Sequence, residues 1–199
     1  MIKNYIINHS MLLINNLNKY NKEQQEEIKY GLESIYLLIT KFIVVFILSI
    51  IFNIWKETLL FIFFFNILRA TAFGIHASKG IYCWISSILF FLLIPWICKN
   101  YTFNILFYII LSIICIISFV IFAPADTVKR PIINKIKRKR FKYITILTSI
   151  IYTVLIFIVN NNIIKNTLIF SIILQSILIL PITYKIFKLP YNNYKNYKG

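Results

Sequence analysis

The fifteen residues Arg69-Ala-Thr-Ala-Phe-Gly-Ile-His-Ala-Ser-Lys-Gly-Ile-Tyr-Cys83 stand apart from the apolar chain around them, holding two of its four glycines, one of its two histidines and one of its three cysteines. A protonated thiol is a poor nucleophile. A neighbouring imidazole converts it to thiolate and later protonates a leaving amine, so His76 and Cys83 together are the minimal set for acyl transfer. In one unbroken helix these two positions share a face but lie about 10 Å apart along the axis, and proton transfer needs roughly 3 Å. Gly74 and Gly80 bracket the histidine and permit a bend. A turn there folds His76 back over the start of the segment that carries Cys83.

Taken singly, a cysteine in an apolar segment is a packing residue and an interfacial histidine a hydrogen-bonded bystander, so spacing alone leaves both readings open. Arg69 ends an apolar stretch and either snorkels to the interface or grips a substrate carboxylate or carbonyl. Asp126 is, with Glu57, one of only two acids beyond residue 33. It either orients His76 as the third member of a triad, caps a helix beginning after Pro124, or pairs with Lys129 or Arg130. Ser78 has no better base than Cys83 would have. Cys98 and Cys115 read as packing residues, and His9 as a bystander. A metal centre needs three or four converging ligands, no glycine-rich phosphate loop is present, and the expectation is of no metal and no cofactor.

The elements that must position these residues follow from composition. Of the 199 residues 59% are hydrophobic and 14% charged, against roughly 45–50% and about 25% in soluble chains. The 22 basic residues exceed the six acidic ones by sixteen, a balance that suits nucleic acid, a membrane surface or the loops of a membrane protein. Bilayer-length apolar runs decide for the membrane and against nucleic acid. The fold expected is an all-α integral membrane protein of about six transmembrane helices, at 34–55, 59–68, 81–98, 101–122, 143–159 and 164–187. The ten-residue run at 59–68 is short and either spans or re-enters. The third and fourth spans, joined by Lys99 and Asn100, form an antiparallel hairpin on this reading. Residues 1–33 are an N-terminal region with an amphipathic helix at the membrane surface, 34–187 the polytopic domain, and 188–199 a cytoplasmic tail. No cleavable signal peptide is expected.

A strongly basic loop at 124–142 orients the set by the positive-inside rule. Both termini, His76 and Cys83 then face the cytoplasm in a multi-pass protein of the bacterial cell membrane, and the loop meets anionic lipid headgroups.

The run Arg69…Gly74-Ile75-His76-Ala77…Cys83 resembles the signature of the AgrB family, the accessory gene regulator protein B of Gram-positive quorum sensing. Lys29-Tyr30-Gly31-Leu32-Glu33 and Ala123-Pro124-Ala125-Asp126-Thr127, followed by Lys129-Arg130-Pro131, are similar to family features in the same order, so the resemblance covers about residues 24–185. It implies a membrane cysteine endopeptidase that cuts an AgrD-like propeptide, with Cys83 as nucleophile, His76 as general base, and Arg69 and Gly74 at motif positions around them. An acyl-thioester on the enzyme is then attacked by a cysteine or serine of the peptide, closing a thiolactone or lactone ring. A homodimer is implied on the same ground. Many relatives carry paired glycines before the histidine, where this chain has Phe73-Gly74. The rival reading is a non-catalytic transporter or peptide exporter whose polar segment 69–82 lines a pathway. Apart from Lys41 the spans offer almost no ionisable residue to build one, and no inverted repeat is evident.

Overall fold

The computed structural model describes residues 2–17, 20–75, 80–127 and 131–195, and gives the backbone alone at 2, 3, 15–17, 22, 23, 34 and 80–83. The chain divides into two units, Met1–Leu48 and Ser49–Gly199.

The first unit holds α1 (Ile2–Leu17) and most of α2 (Lys22–Ile51). Asn21 and Gln24 cap the start of α2 reciprocally: the Asn21 carboxamide accepts from the Gln24 N–H at 2.8 Å, and Gln24 accepts from the Asn21 N–H at 3.1 Å. This is a capping box with Asn and Gln in its two roles. The polar stretch with Glu26 and Glu27 is therefore the opening of the same helix that becomes apolar further on, since Glu, Gln and Lys are good helix formers.

In the second unit α2 ends earlier than the run of apolar residues does. Asn53 takes a left-handed φ of 54°, its N–H bonds to the Ile50 carbonyl at 2.9 Å and the Ile54 N–H to that of Ser49 at 2.8 Å. That pair of bonds is the Schellman termination, with asparagine in the left-handed seat. Trp55, expected inside the first span, instead opens α3 (Trp55–Ala72). The short run at 59–68 is thus part of a continuous 18-residue helix with Lys56, Glu57 and Arg69 near its ends. There follow α4 (Gly80–Asn100), α5 (Ile105–Phe122), α6 (Lys135–Ile158), α7 (Asn162–Ile179), α8 (Pro181–Ile186) and a 3-10 turn at Asn193–Lys195.

Among the described residues, four helices are long and apolar enough to cross a membrane: Gln24–Ile51, Ile105–Phe122, Lys135–Ile158 and Asn162–Ile179, with Trp84–Asn100 a shorter apolar helix. Rows such as Ile110, Ile113, Ile117 and Ile121 on α5 are about half exposed, a surface that suits lipid rather than water. The loop expected over 124–142 ends at Asn134. Its basic residues from Lys135 to Lys142 are the opening turns of α6, because the Asn134 side chain accepts from the N–H groups of Ile136 and Lys137 at 2.9 and 3.2 Å and long basic side chains are compatible with helix.

α7 is the axis of the second unit, packed by α3, α4, α5 and α6. The expected hairpin of the third and fourth spans is not formed: α4 and α5 scarcely touch and each leans on α7 instead. Asn166 of α7 occupies the corner between them. Its amide donates to the carbonyls of Cys98 (3.1 Å) and Tyr101 (2.7 Å) and accepts from the Tyr108 hydroxyl (2.6 Å). The four residues 101–104 give the chain enough length to diverge around it.

Asn166 is fully buried, so Asn166→Ala strands several polar groups and should cost about 2–3 kcal/mol of stability. Asn104→Ala, which removes only an exposed helix cap, should cost about 1 kcal/mol. Denaturant unfolding of the detergent-solubilised chain measures both.

Candidate functional site

Where α3 ends, the chain enters a run of backbone held from several sides. Phe73 closes the helix with φ 58° and ψ −129°, the values a type II′ turn reserves for glycine, and Gly74 follows at φ 108°. Phe73 pairs with Ala125 as an isolated parallel bridge. The Gly74 N–H donates to the Ala125 carbonyl at 2.7 Å, the Ala125 N–H to that of Ala72 at 3.0 Å, and the Ile75 N–H to that of Leu178 at 3.1 Å. A Cβ on residue 74 would lie 2.7 Å from the Leu178 carbonyl oxygen and 2.8 Å from Arg69 Nη1. Only glycine fits there, for want of both space and a permitted φ.

The carbonyls of the same run point to side chains. Arg69 folds back so that Nη1 donates to the Phe73 oxygen at 2.6 Å, while Nη2 donates to those of Gly74, at 3.3 Å, and of Ile75. From α7, Gln175 Nε2 donates to the Phe73 oxygen at 2.7 Å. Arg69 and Gly74 are therefore brought together by main-chain contacts, with Asp126 adjacent to the Ala125 that pairs with them. His76, with Ala77, Ser78 and Lys79, lies outside the described residues. Cys83 has its backbone in the first turn of α4, and its side chain too is outside the description.

Asp126 does not cap a helix. No helix begins after Pro124, because 123–134 stays non-helical where described and α6 starts only at its Asn134 cap. The buried carboxylate gathers main-chain donors instead: Tyr194 N–H at 2.9 Å, Asn193 N–H at 3.1 Å and Ile132 N–H at 3.4 Å. Among the described residues its ion pair is with Arg138 at 3.6 Å; the expected partners Lys129 and Arg130 lie outside the described residues. The Arg138 guanidinium in turn sits 3.6 Å above the Tyr194 ring. The Tyr184 hydroxyl donates to the carbonyls of Ala125 (3.2 Å) and Asp126 (3.0 Å). Burial pushes that phenol above its usual range. The start of the tail is consequently docked on the 123–132 segment.

Two grooves flank α6. Phe73, Ile133, Lys137, Arg140, Phe141 and Ile144 line one of about 540 Å³, in which the Phe73 and Phe141 rings meet edge to face at 5.2 Å. Lys135, Lys139, Lys142 and Tyr191 are among those lining the other, of about 650 Å³. Spacings of three and four residues put 137, 140, 141 and 144 on one face of the helix and 135, 138, 139 and 142 on another.

Gln175 was not among the residues that motif and spacing single out. Its signal was present all the same: an amide in the middle of an apolar span needs an internal partner. Cys98 and Cys115 are buried free thiols, and His9 stacks on Tyr5 within α1.

Compared with known proteins, the chain matches the family model described as accessory gene regulator B over residues 4–179. That match begins within α1, earlier than residue 24, and ends with α7. The chain is 33% identical over 187 residues to an AgrB-like protein of Clostridium acetobutylicum, covering 92% of this chain and 88% of that one. It is 29% identical over 180 residues to an AgrB-like protein of Listeria innocua, covering 90% and 88%. With the accessory gene regulator protein B of Staphylococcus aureus it shares 33% identity over 157 residues, 78% of this chain and 82% of the relative. No solved structure matches the chain.

Two substitutions probe the geometry directly. Gly74→Ala should break the contacts of 73–75 and speed amide exchange at Gly74 and Ile75, read by mass spectrometry of the detergent-solubilised chain. Asp126→Ala removes the acceptor for the tail. Proteolytic release of the C-terminal residues should then rise about tenfold or more, the equivalent of one charge-assisted hydrogen bond.

Proposed function

The chain belongs to the accessory gene regulator B family, and from that premise we propose that it is a membrane-embedded cysteine endopeptidase processing an AgrD-like propeptide in an accessory gene regulator quorum-sensing system. The observation that carries the reading is the pinned backbone at 73–75, which fixes the chain immediately before His76, with Cys83 following in the first turn of α4. The first turn of a helix presents unpaired N–H groups and the positive end of its dipole, a setting that favours a thiolate.

In this mechanism the His76 imidazole takes the thiol proton of Cys83, and the thiolate sulfur attacks the scissile carbonyl carbon. The tetrahedral intermediate collapses with cleavage of the C–N bond. The imidazolium returns its proton to the departing amine, leaving the signal-bearing half of the peptide as an acyl-thioester on Cys83. A cysteine or serine within that half then gives its proton to His76 and attacks the same carbonyl. A thiolactone or lactone forms, and Cys83 recovers its thiol. Water attacking in its place yields the linear acid, so a site built for cyclisation has to hold the peptide's own nucleophile closer than solvent.

The basic opening turns of α6 face the cytoplasm in this reading and meet anionic headgroups, at roughly 1 kcal/mol per basic side chain near the surface. The propeptide, approaching along the same leaflet, searches for the site in two dimensions.

The test is co-expression of the cognate propeptide with the parent chain, Cys83→Ala and Cys83→Ser. Loss of the cleaved product by about a hundredfold or more in both variants, at equal amounts of chain in the membrane, is the expected outcome. Undiminished processing overturns the reading.

A further inference from the structure

Gln175 is fully buried in α7, and a primary amide in such a place is unfavourable by about 1–3 kcal/mol unless it is hydrogen-bonded. The other polar residues on the same row of α7 satisfy themselves locally. Thr167 and Ser171 each donate to the carbonyl one turn back in their own helix, at 2.6 and 2.7 Å. Gln175 instead reaches to another element, the Phe73 carbonyl. Its Oε1 is buried without a hydrogen-bond partner among the described residues. Among the described residues half of this amide is thus left unsatisfied, so its presence is not explained by the stability of α7.

Phe73 explains it. A side chain other than glycine at φ 58° and ψ −129° is strained by on the order of 1–3 kcal/mol. The peptide unit that follows is held at every polar position: its oxygen accepts from both Arg69 and Gln175, and its N–H, that of Gly74, donates to Ala125. The two side chains on the oxygen are not equivalent. Arg69 stands in the last turn of the helix that Phe73 closes, four residues earlier, so its contact is local to that helix end. Gln175 stands on α7 and ties the peptide plane to the rest of the unit. The orientation of that plane sets ψ of Phe73 and φ of Gly74, and hence the direction in which the chain leaves toward His76.

We propose that Gln175 is a positioning residue of the peptidase: by holding the Phe73 carbonyl from α7 it keeps a phenylalanine in a glycine conformation and so aims the segment that carries His76. The inference rests on the peptidase reading for its kinetic consequence, but not for its structural one.

The experiment uses the full chain in lipid nanodiscs with the cognate propeptide, in five forms: parent, Gln175→Met, Phe73→Gly, the double variant and Cys83→Ala. Methionine has nearly the shape of glutamine and no donor, and it removes the unpartnered Oε1 as well. The unfolding midpoint should therefore hardly move, which separates positioning from general stability. In Gln175→Met we expect kcat to fall about ten- to a hundredfold with KM within about threefold of the parent. The Gly74 and Ile75 amides should exchange faster. With glycine at 73 the strain is gone, so Gln175→Met in that background should lower kcat by no more than about threefold. An unchanged kcat in Gln175→Met, or an equal loss in both backgrounds, overturns the proposal. Should the parent process no more peptide than Cys83→Ala, the peptidase reading itself falls. Amide exchange then decides for Gln175 alone, and an unaltered rate at Gly74 and Ile75 overturns its positioning role.

Discussion

One peptide unit, the one joining Phe73 to Gly74, sets the terms for the structure around it. In an apolar interior no water completes a backbone that leaves its helix, so each freed N–H and carbonyl has to find a partner in the protein. Here the partners come from Arg69 of α3, from Ala125 in the turn after α5, and from Gln175 and the Leu178 carbonyl of α7. Elements far apart in the chain thereby converge on three residues. The convergence explains why Gly74 has no room for a methyl group and why an arginine and a buried glutamine both turn inward.

The remainder of the second unit serves that convergence. α7 presents Asn166 at one end to separate α4 from α5, and Gln175 and Leu178 toward the other to hold the end of α3. The 123–126 segment that pairs with Phe73 is secured in its turn by the Tyr184 hydroxyl and, through Asp126, by the tail and Arg138. A charge buried this thoroughly is tolerable because three N–H groups and a guanidinium surround it. The Phe73 ring meets that of Phe141 on the wall of a groove also lined by Lys137 and Arg140. Phenylalanine in a glycine seat thus gives that wall an aromatic surface that a glycine pair lacks.

Much of this is legible in the residues alone. The membrane character follows from uncharged runs that only lipid or a helical interior accommodates. The family follows from motifs kept in order around Arg69, Gly74, His76 and Cys83. The importance of Gly74 was legible too, because a glycine between an apolar helix end and a histidine has few other reasons to be there. Less legible were boundaries that hang on a single capping group. Asn53 stops α2 before Trp55, and Asn134 starts α6 within what reads as a basic loop, since charge and hydropathy do not register a left-handed residue or a side-chain cap.

What the sequence determined by itself is therefore the solvent of the chain, its helical class and its family. These depend on local composition and spacing, which survive without knowledge of neighbours. Tertiary structure alone decided that α4 and α5 part around Asn166, that Asp126 receives the tail rather than capping a helix, and that Gln175 reaches Phe73. Each of those rests on a hydrogen bond between residues 58 to 102 positions apart. No periodicity encodes such a bond. It exists only once packing has excluded water and left one partner within reach.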